Sequence, residues 1–319
     1  MLKNPVLKSI KPVVYQSKYV NINKKAIKSF CKNLDFCKLK KQIDRTSVEL
    51  KLGSLGLGQK MNFLFVINSI NFCYWGDPKW RILYKGKTYD GALGLLKAFQ
   101  KAIERNIPIT DTNYLVNLPR IDLLNILKGN VLIPLFDERW RILKENGRIL
   151  SQKYNGEFIN LLIKSDYNAL KLLKILTKDF PSFNDFSIYN KKKVFFYKRA
   201  QLLIADIYRE FRDKYKFKNI HKLTAFADYK IPCVLRKLKV LEYSDELSEK
   251  IDKYIQIPFG SEEEIEIRAN TIFAVELIKR ELKSKIPFIK SIDIDAYLWR
   301  LGREKFKNQK HHLTKTIFY

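Results

Sequence analysis

Apolar residues return at spacings of three and four along most of this chain, the period of helices that bury one face. GALGLLKAFQKAIER carries the pattern plainly. So do LFDERWRILKENGRILSQKY, GEFINLLIKS and DYNALKLLKILTKDF, the last with Asp166 as a candidate cap. LPRIDLLNILKG has Pro119 near its start and Gly129 just past its end, the asymmetry expected of a helix. VFFYKRAQLLIADIYREFRDKY follows, then CVLRKLKVL, YSDELSEKIDKYIQ, SEEEIEIRANTIFAVELIKREL and IDIDAYLWRLGREKF. Ser261 and Glu264 open the penultimate one at capping-box spacing. KKAIKSFCKNL and FCKLKKQI predict two short basic helices near the N-terminus. WRILYKGKTYDG, with β-favouring residues around Lys85 and Gly86, predicts a small hairpin. KLGSLGLGQK and FPSFNDFSIYNKKK predict loops, and FLFVINSINFCYW is too uniformly apolar for its period to assign. The sum is roughly ten helices and one hairpin, with no internal repeat and no linker long enough to separate domains. The expected fold class is mostly α, a single helical domain with one small β-hairpin. A basic N-terminal segment, residues 1–60, is expected to pack on the main domain, residues 61–319.

Composition narrows the partners. The 319 residues are 46% hydrophobic, ample for a buried core. Lys and Arg number 61 against 33 acids, a net charge of +28. That balance favours anionic partners such as nucleotides, phosphosugars or nucleic acid, without choosing among them; a Lys-rich coding bias explains some of it equally well. Residues 1–60 alone hold 14 basic and 3 acidic residues. No membrane span and no secretory signal is apparent, so a cytoplasmic protein is expected. The four cysteines show no Cys-x-x-Cys spacing and there are three histidines, so neither a zinc site nor any other cofactor is expected. Gly53, Gly56 and Gly58 follow no strand, and a nucleotide-binding fingerprint is not expected there.

Chemistry could sit in three places, since no Gly-x-Ser-x-Gly elbow, Walker loop or His–Glu metal motif occurs. The first is LTAFADYKIP, where Asp228 stands between the rings of Phe226 and Tyr229 just before a helix. A cap for that helix is the plainer role for Asp228; stabilising a developing cation is the sharper one. The second is Tyr197, Lys198, Arg199 and Gln201, in the first turns of a long helix. Cations run against the charge preference of a helix N-terminus, so Lys198 and Arg199 are either solvated or grip a phosphate. The third is IDIDAYLW: Asp293 suits a cap and leaves Asp295 for a ligand. One carboxylate, a phosphate grip and several rings suit cleavage of an N-glycosidic bond in a nucleotide.

INFCYW, GALGLLKAFQKAIERNIPITD, FYKRAQLLIAD, FADYKIP, EIEIRANTIFAVELI and DAYLW, in this order, resemble the queuosine-salvage proteins, queuosine 5′-phosphate N-glycosylases. The resemblance runs from about Phe63 to Tyr319. It implies a helical fold akin to DNA glycosylases, no metal, and hydrolysis of queuosine 5′-monophosphate to queuine and ribose 5-phosphate. By matching position it implies Asp228 as the catalytic acid, Phe226 as a ring against the base, and Asp295 as a ligand to queuine. Tyr229 belongs to the same motif. The phosphate role for Lys198 and Arg199 rests on their chemistry alone. Queuine is a 7-deazaguanine, so the nitrogen that purine glycosidases commonly protonate is a carbon, and the burden falls on oxocarbenium stabilisation by a fixed carboxylate.

The chain departs from the family pattern at several positions. Ala296 stands where an aromatic usually follows the ligand Asp, and Arg300 where an acid usually follows Tyr-Leu-Trp. Asn68 replaces the family's Asp, and no His precedes His221. On a continuous helix Arg300 lies roughly 140° around from Asp295, so it points to solvent or reaches the pocket only through its length. The expected partner is a small nucleotide and not a membrane; the competing class is a nucleic-acid-binding protein or a glycosylase acting on DNA or tRNA, which the charge alone supports.

Overall fold

The computed structural model describes residues 4–44, 55–306 and 309–319. Its contacts gather the chain into two compact units. One holds Met1–Thr46, Asp185–Gln201 and Asn219–Lys315; the other holds Ser47–Asn184, Leu202–Lys218 and Thr316–Tyr319. Fifteen α-helices and three two-stranded antiparallel sheets occur among the described residues, so the protein is mostly α-helical, as its periodicity predicts.

The first unit begins with α1 (Pro5–Gln16), β1 (Val20–Ile22), α2 (Lys24–Lys32) and α3 (Phe36–Asp44). Asn4 and Asn23 cap α1 and α2, their side chains accepting from the Val6 and Ala26 amides. The two basic helices expected from sequence are α2 and α3. α1 was not expected, because Pro5 and Pro12 obscure its period. Of the expected loop KLGSLGLGQK, residues 51–54, Gly53 included, lie outside the described residues. Its last residues are already helical and carry Gly58.

In the second unit α4 (Leu57–Ser69) is buried on every side from Met61 to Ser69, which is why no period could be read in FLFVINS. The hairpin β2 (Arg81–Tyr84) and β3 (Lys87–Asp90) forms with the expected turn. α5 (Gly91–Glu104), α6 (Thr112–Val116), α7 (Arg120–Ile126), α8 (Phe136–Tyr154), α9 (Phe158–Lys164) and α10 (Ala169–Asp179) complete the run. The cap of α10 is Asn168, which accepts from the Leu170 and Lys171 amides. Asp166, the expected cap, is instead paired with Lys218 at 2.9 Å. Two residues nearer the helix, Asn168 has the geometry that a cap needs.

The stretch expected as a loop before the long helix contains a hairpin of the first unit, β4 (Phe186–Tyr189) and β5 (Lys192–Phe195). Its turn residues Asn190 and Lys191 are both left-handed, at φ 47° and 61°, the geometry that matches strand twist. Four-residue strands beside a lysine run leave little alternation to read. α11 (Lys198–Phe211) therefore starts four residues later than its apolar run suggests. The rest of the first unit is α12 (Lys230–Lys237), β6 (Leu241–Tyr243), α13 (Asp245–Asp252), α14 (Glu262–Leu282) and α15 (Ser291–Glu304).

α14 is the centre of the first unit; α1, α2, α12 and α15 all pack on it. Each aliphatic side chain it buries contributes about 1.5–3 kcal/mol. Its buried Glu266 accepts backbone N–H bonds from Lys18 (3.0 Å) and Tyr19 (2.7 Å), and β1 pairs with β6, Val20 opposite Tyr243. α15 comes close to α12 because Gly302 has no side chain: a Cβ there would lie 2.7 Å from Val234 Cγ2. That approach sets the helix carrying Asp295 against the helix that begins beside Asp228.

Candidate active site

The segment from Leu223 to Ala227 is buried and belongs to neither helix nor strand. Such a chain needs side-chain partners for its backbone polar groups. Gln201 Oε1 accepts from the Thr224 amide at 3.0 Å, and Gln201 Nε2 donates to Thr224 Oγ1 at 2.8 Å. Asp295 Oδ2 accepts from the Phe226 amide at 2.8 Å, and Arg268 Nε donates to the Ala227 carbonyl at 3.2 Å. The strand of sequence that carries Phe226 is thus held by three distant side chains. Asp228 follows, half-buried, at the start of α12. Its Oδ1 accepts from the Lys230 and Ile231 amides at 2.7 and 3.1 Å. The capping geometry is therefore present, and among the described residues Oδ2 makes no hydrogen bond.

Lys198 and Arg199 open the first turn of α11. Neither is a solvated surface base: they are 5% and 1% exposed. Tyr197, just before them, is left-handed at φ 52°, a strained conformation for an aromatic residue. Asp185 fixes the turn: its backbone carbonyl accepts from the Phe196 and Tyr197 amides, and its Oδ2 accepts from the Lys198 amide at 3.0 Å. Burial lowers the pKa of the Lys198 ammonium; the nearby Asp228 and Asp295 carboxylates oppose that, while Arg199 and Arg268 add to it. Lys198 thus lies within the field of both carboxylates singled out from sequence.

Arg268, on α14, ties the pieces together. It meets Asp185 at both ends of its guanidinium, at 3.0 and 2.6 Å, and Glu264 at 3.4 Å. Its guanidinium lies 3.9 Å from the centre of the Phe196 ring. Arg268 was not among the residues singled out from sequence. The signal was there, an Arg one helical turn after Glu264 within EIEIRANTIFAVELI.

α15 starts ahead of Asp293, which lies inside its first turn and caps it from there, Oδ2 accepting from the Lys290 amide at 3.0 Å. Asp295 points to the Phe226 backbone, and Ala296 beside it is half-buried. Arg300 is directed elsewhere: its Nε lies 4.0 Å from Glu304 Oε1, with 39% of the side chain exposed. Asn68 is in the second unit, where its Nδ2 donates to Asp206 Oδ2 at 3.1 Å.

His311 and His312 were not singled out from sequence either. His311 stacks on Tyr229, ring centres 4.5 Å apart and 27° from parallel, with its Nδ1 2.9 Å from the His312 carbonyl. His312 is buried; that burial, with His311 and Arg268 nearby, pushes its pKa down to about 3. Adjacent histidines in a chain with three were the available signal. Among the described residues no three His, Cys, Asp or Glu side chains gather as a metal-binding set. No helix among them is long and apolar enough to cross a membrane.

A half-buried carboxylate, two buried bases and several rings thus occur on one unit. A family model described as "Queuosine salvage protein" matches residues 56–319. A Sphaerobacter thermophilus protein named "Queuosine 5′-phosphate N-glycosylase/hydrolase" is 41% identical over 261 residues, 81% of each chain. Proteins of the same name from Bos taurus and Schizosaccharomyces pombe are 38% and 33% identical, the first over 81% of each chain, the second over 76% of this chain and 75% of its own. The chain belongs to the queuosine salvage protein family.

Proposed function

We propose that this protein hydrolyses the N-glycosidic bond of queuosine 5′-phosphate, releasing queuine and ribose 5-phosphate for reuse in tRNA modification. Water adds to C1′ as the bond to the base breaks. The bonding electron pair leaves with the base, and the water's surplus proton passes to solvent or to the departing base. Asp228 is the residue that faces the ribosyl cation. Its Oδ1 is pinned by the start of α12, so the carboxylate needs no reorientation as positive charge develops. Phe226 supplies a ring against the base, on a backbone fixed by Asp295. The charge of Asp295 also suits the protonated amine on the queuine arm. Tyr229, braced by His311, closes the apolar side. Lys198 and Arg199, both buried at the first turn of α11, take the 5′-phosphate.

The observation that carries this reading is Lys198: a buried ammonium in the field of both Asp228 and Asp295. A phosphorylated nucleoside fits that pattern, with its anion at the bases and its incipient cation at the acid. Incubation with queuosine 5′-phosphate should yield free queuine and ribose 5-phosphate in equal amounts. Absence of both products with folded protein would end the proposal.

A further inference from the structure

A groove of ≈ 680 Å³ opens elsewhere on the first unit, lined by none of the residues discussed above for hydrolysis. Its floor is one stripe of α14, with Asn270, Phe273, Leu277 and Arg280 at helical spacing. Its walls are the end of α1 with Tyr15, the link with Lys18, the paired strands β1 and β6, and Lys24 at the start of α2. We propose that this groove binds a single-stranded nucleic acid, with bases on its rings and phosphates on its cations.

Tyr15 stands 76% exposed, an unusual waste of an aromatic surface, and meets Phe273 edge-on with ring centres 6.4 Å apart. Stacking on such a ring accepts any base. Lys18 has Glu262 at 3.7 Å; among the described residues Lys24 and Arg280 have no carboxylate within ion-pair distance. The acid in the lining, Glu242, is occupied by the Asn21 and Asn23 side-chain amides, at 3.1 and 2.7 Å. From Lys24 the cations continue along α2 as Lys28 and Lys32, all exposed and one turn apart. Four residues of helix advance about 6 Å, a step that successive phosphates of an extended strand can follow. An acidic peptide would use the cations but leave the rings idle, so the nucleic acid is the better match.

The surface is preformed. Glu266 holds the Lys18, Tyr19 and Val20 amides, and β1 is paired to β6, so the wall does not have to order on binding. The wall residues Val14 to Lys24 also precede residue 56, where the family match begins. The floor on α14 and the Glu242–Ser244 side lie within the matched residues.

The test is fluorescence anisotropy of the full chain with a short labelled single-stranded RNA across a salt series. Binding is expected with a log–log salt slope of about −2, from three phosphate contacts at about 0.7 each. Joint K24E and K28E should weaken it at least about tenfold and flatten the slope. Tyr15→Ala should weaken it about tenfold at an unchanged slope, since stacking carries no charge. Both variants should retain wild-type nucleotide hydrolysis. No binding at low salt would overturn the proposal, as would equal binding by the charge-reversed protein. Tyr15→Ala without effect, together with polyphosphate or polyglutamate displacing the RNA charge for charge, would overturn it too by reducing the groove to a general polyanion surface. Failure of hydrolysis in the wild type would leave this binding result standing, so the two readings fail separately.

Discussion

Arg268 and Asp185 form a two-point ion pair, 3.0 and 2.6 Å, with both side chains sealed from solvent. The pair does more than neutralise itself. Asp185 Oδ2 caps the Lys198 amide, and Arg268 Nε holds the Ala227 carbonyl, so it links the turn that carries Lys198 to the loop that carries Asp228.

Breaking one side of that pair leaves a buried charge uncompensated, at about 3–5 kcal/mol. Arg268→Lys keeps the charge but loses the planar fork and the bond to Ala227. It should lower the urea midpoint and reduce kcat for the nucleotide more than it raises KM, because it disturbs placement and not phosphate contact. A kcat equal to wild type in the Lys variant would confine Arg268 to stability.

Asp228→Asn should nearly abolish hydrolysis while leaving the fold intact. The amide oxygen can still accept from Lys230 and Ile231, so the cap survives and the charge is lost. The electrostatic term at stake is on the order of several kcal/mol of barrier. Turnover above about a tenth of wild type would mean that another group carries the step. Circular dichroism and the urea midpoint serve as the fold controls.

Lys198→Met fills similar volume without charge, which avoids opening a cavity at a buried site. KM for the 5′-phosphorylated nucleoside should rise far more than KM for the nucleoside itself. Equal effects on the two substrates would remove Lys198 from phosphate recognition.

His312 should make stability fall in acid. Its folded pKa of about 3 lies below the ordinary imidazole value, so between the two the unfolded chain binds the extra proton. Stability from this residue is fully present above pH 6.5, declines as pH drops below that, and is lost once the folded value is passed. His312→Gln should flatten the decline of the urea midpoint between pH 7 and pH 4, roughly the window the two values define. An unaltered slope would place the acid sensitivity elsewhere.

Gly302→Ala should destabilise by about 1–3 kcal/mol, because α15 must retreat from Val234. The same retreat moves Asp295 away from the Phe226 amide, so kcat should fall along with the thermal midpoint. Full activity at a lowered midpoint would show that the two helices tolerate the shift.

The sequence by itself determined the helical class, because three-and-four periodicity is a local property written into each amphipathic segment. It also marked Asp228, Phe226 and Asp295 through motif order, and the caps Ser261 and Asp293, which act within one turn of their own helices. What it left undecided depends on distant partners. Whether Lys198 is solvated or buried is decided by Asp185, and the path of the Phe226 loop by Gln201, Arg268 and Asp295. Arg300 could point two ways from its helix position, and the choice went to Glu304 on the next turn. The β4–β5 hairpin was hidden for a related reason: its strands are too short to alternate visibly, and their pairing exists only once the chain has turned back. Burial of a charge is offset by groups far away in sequence, and only the tertiary structure brings those groups together.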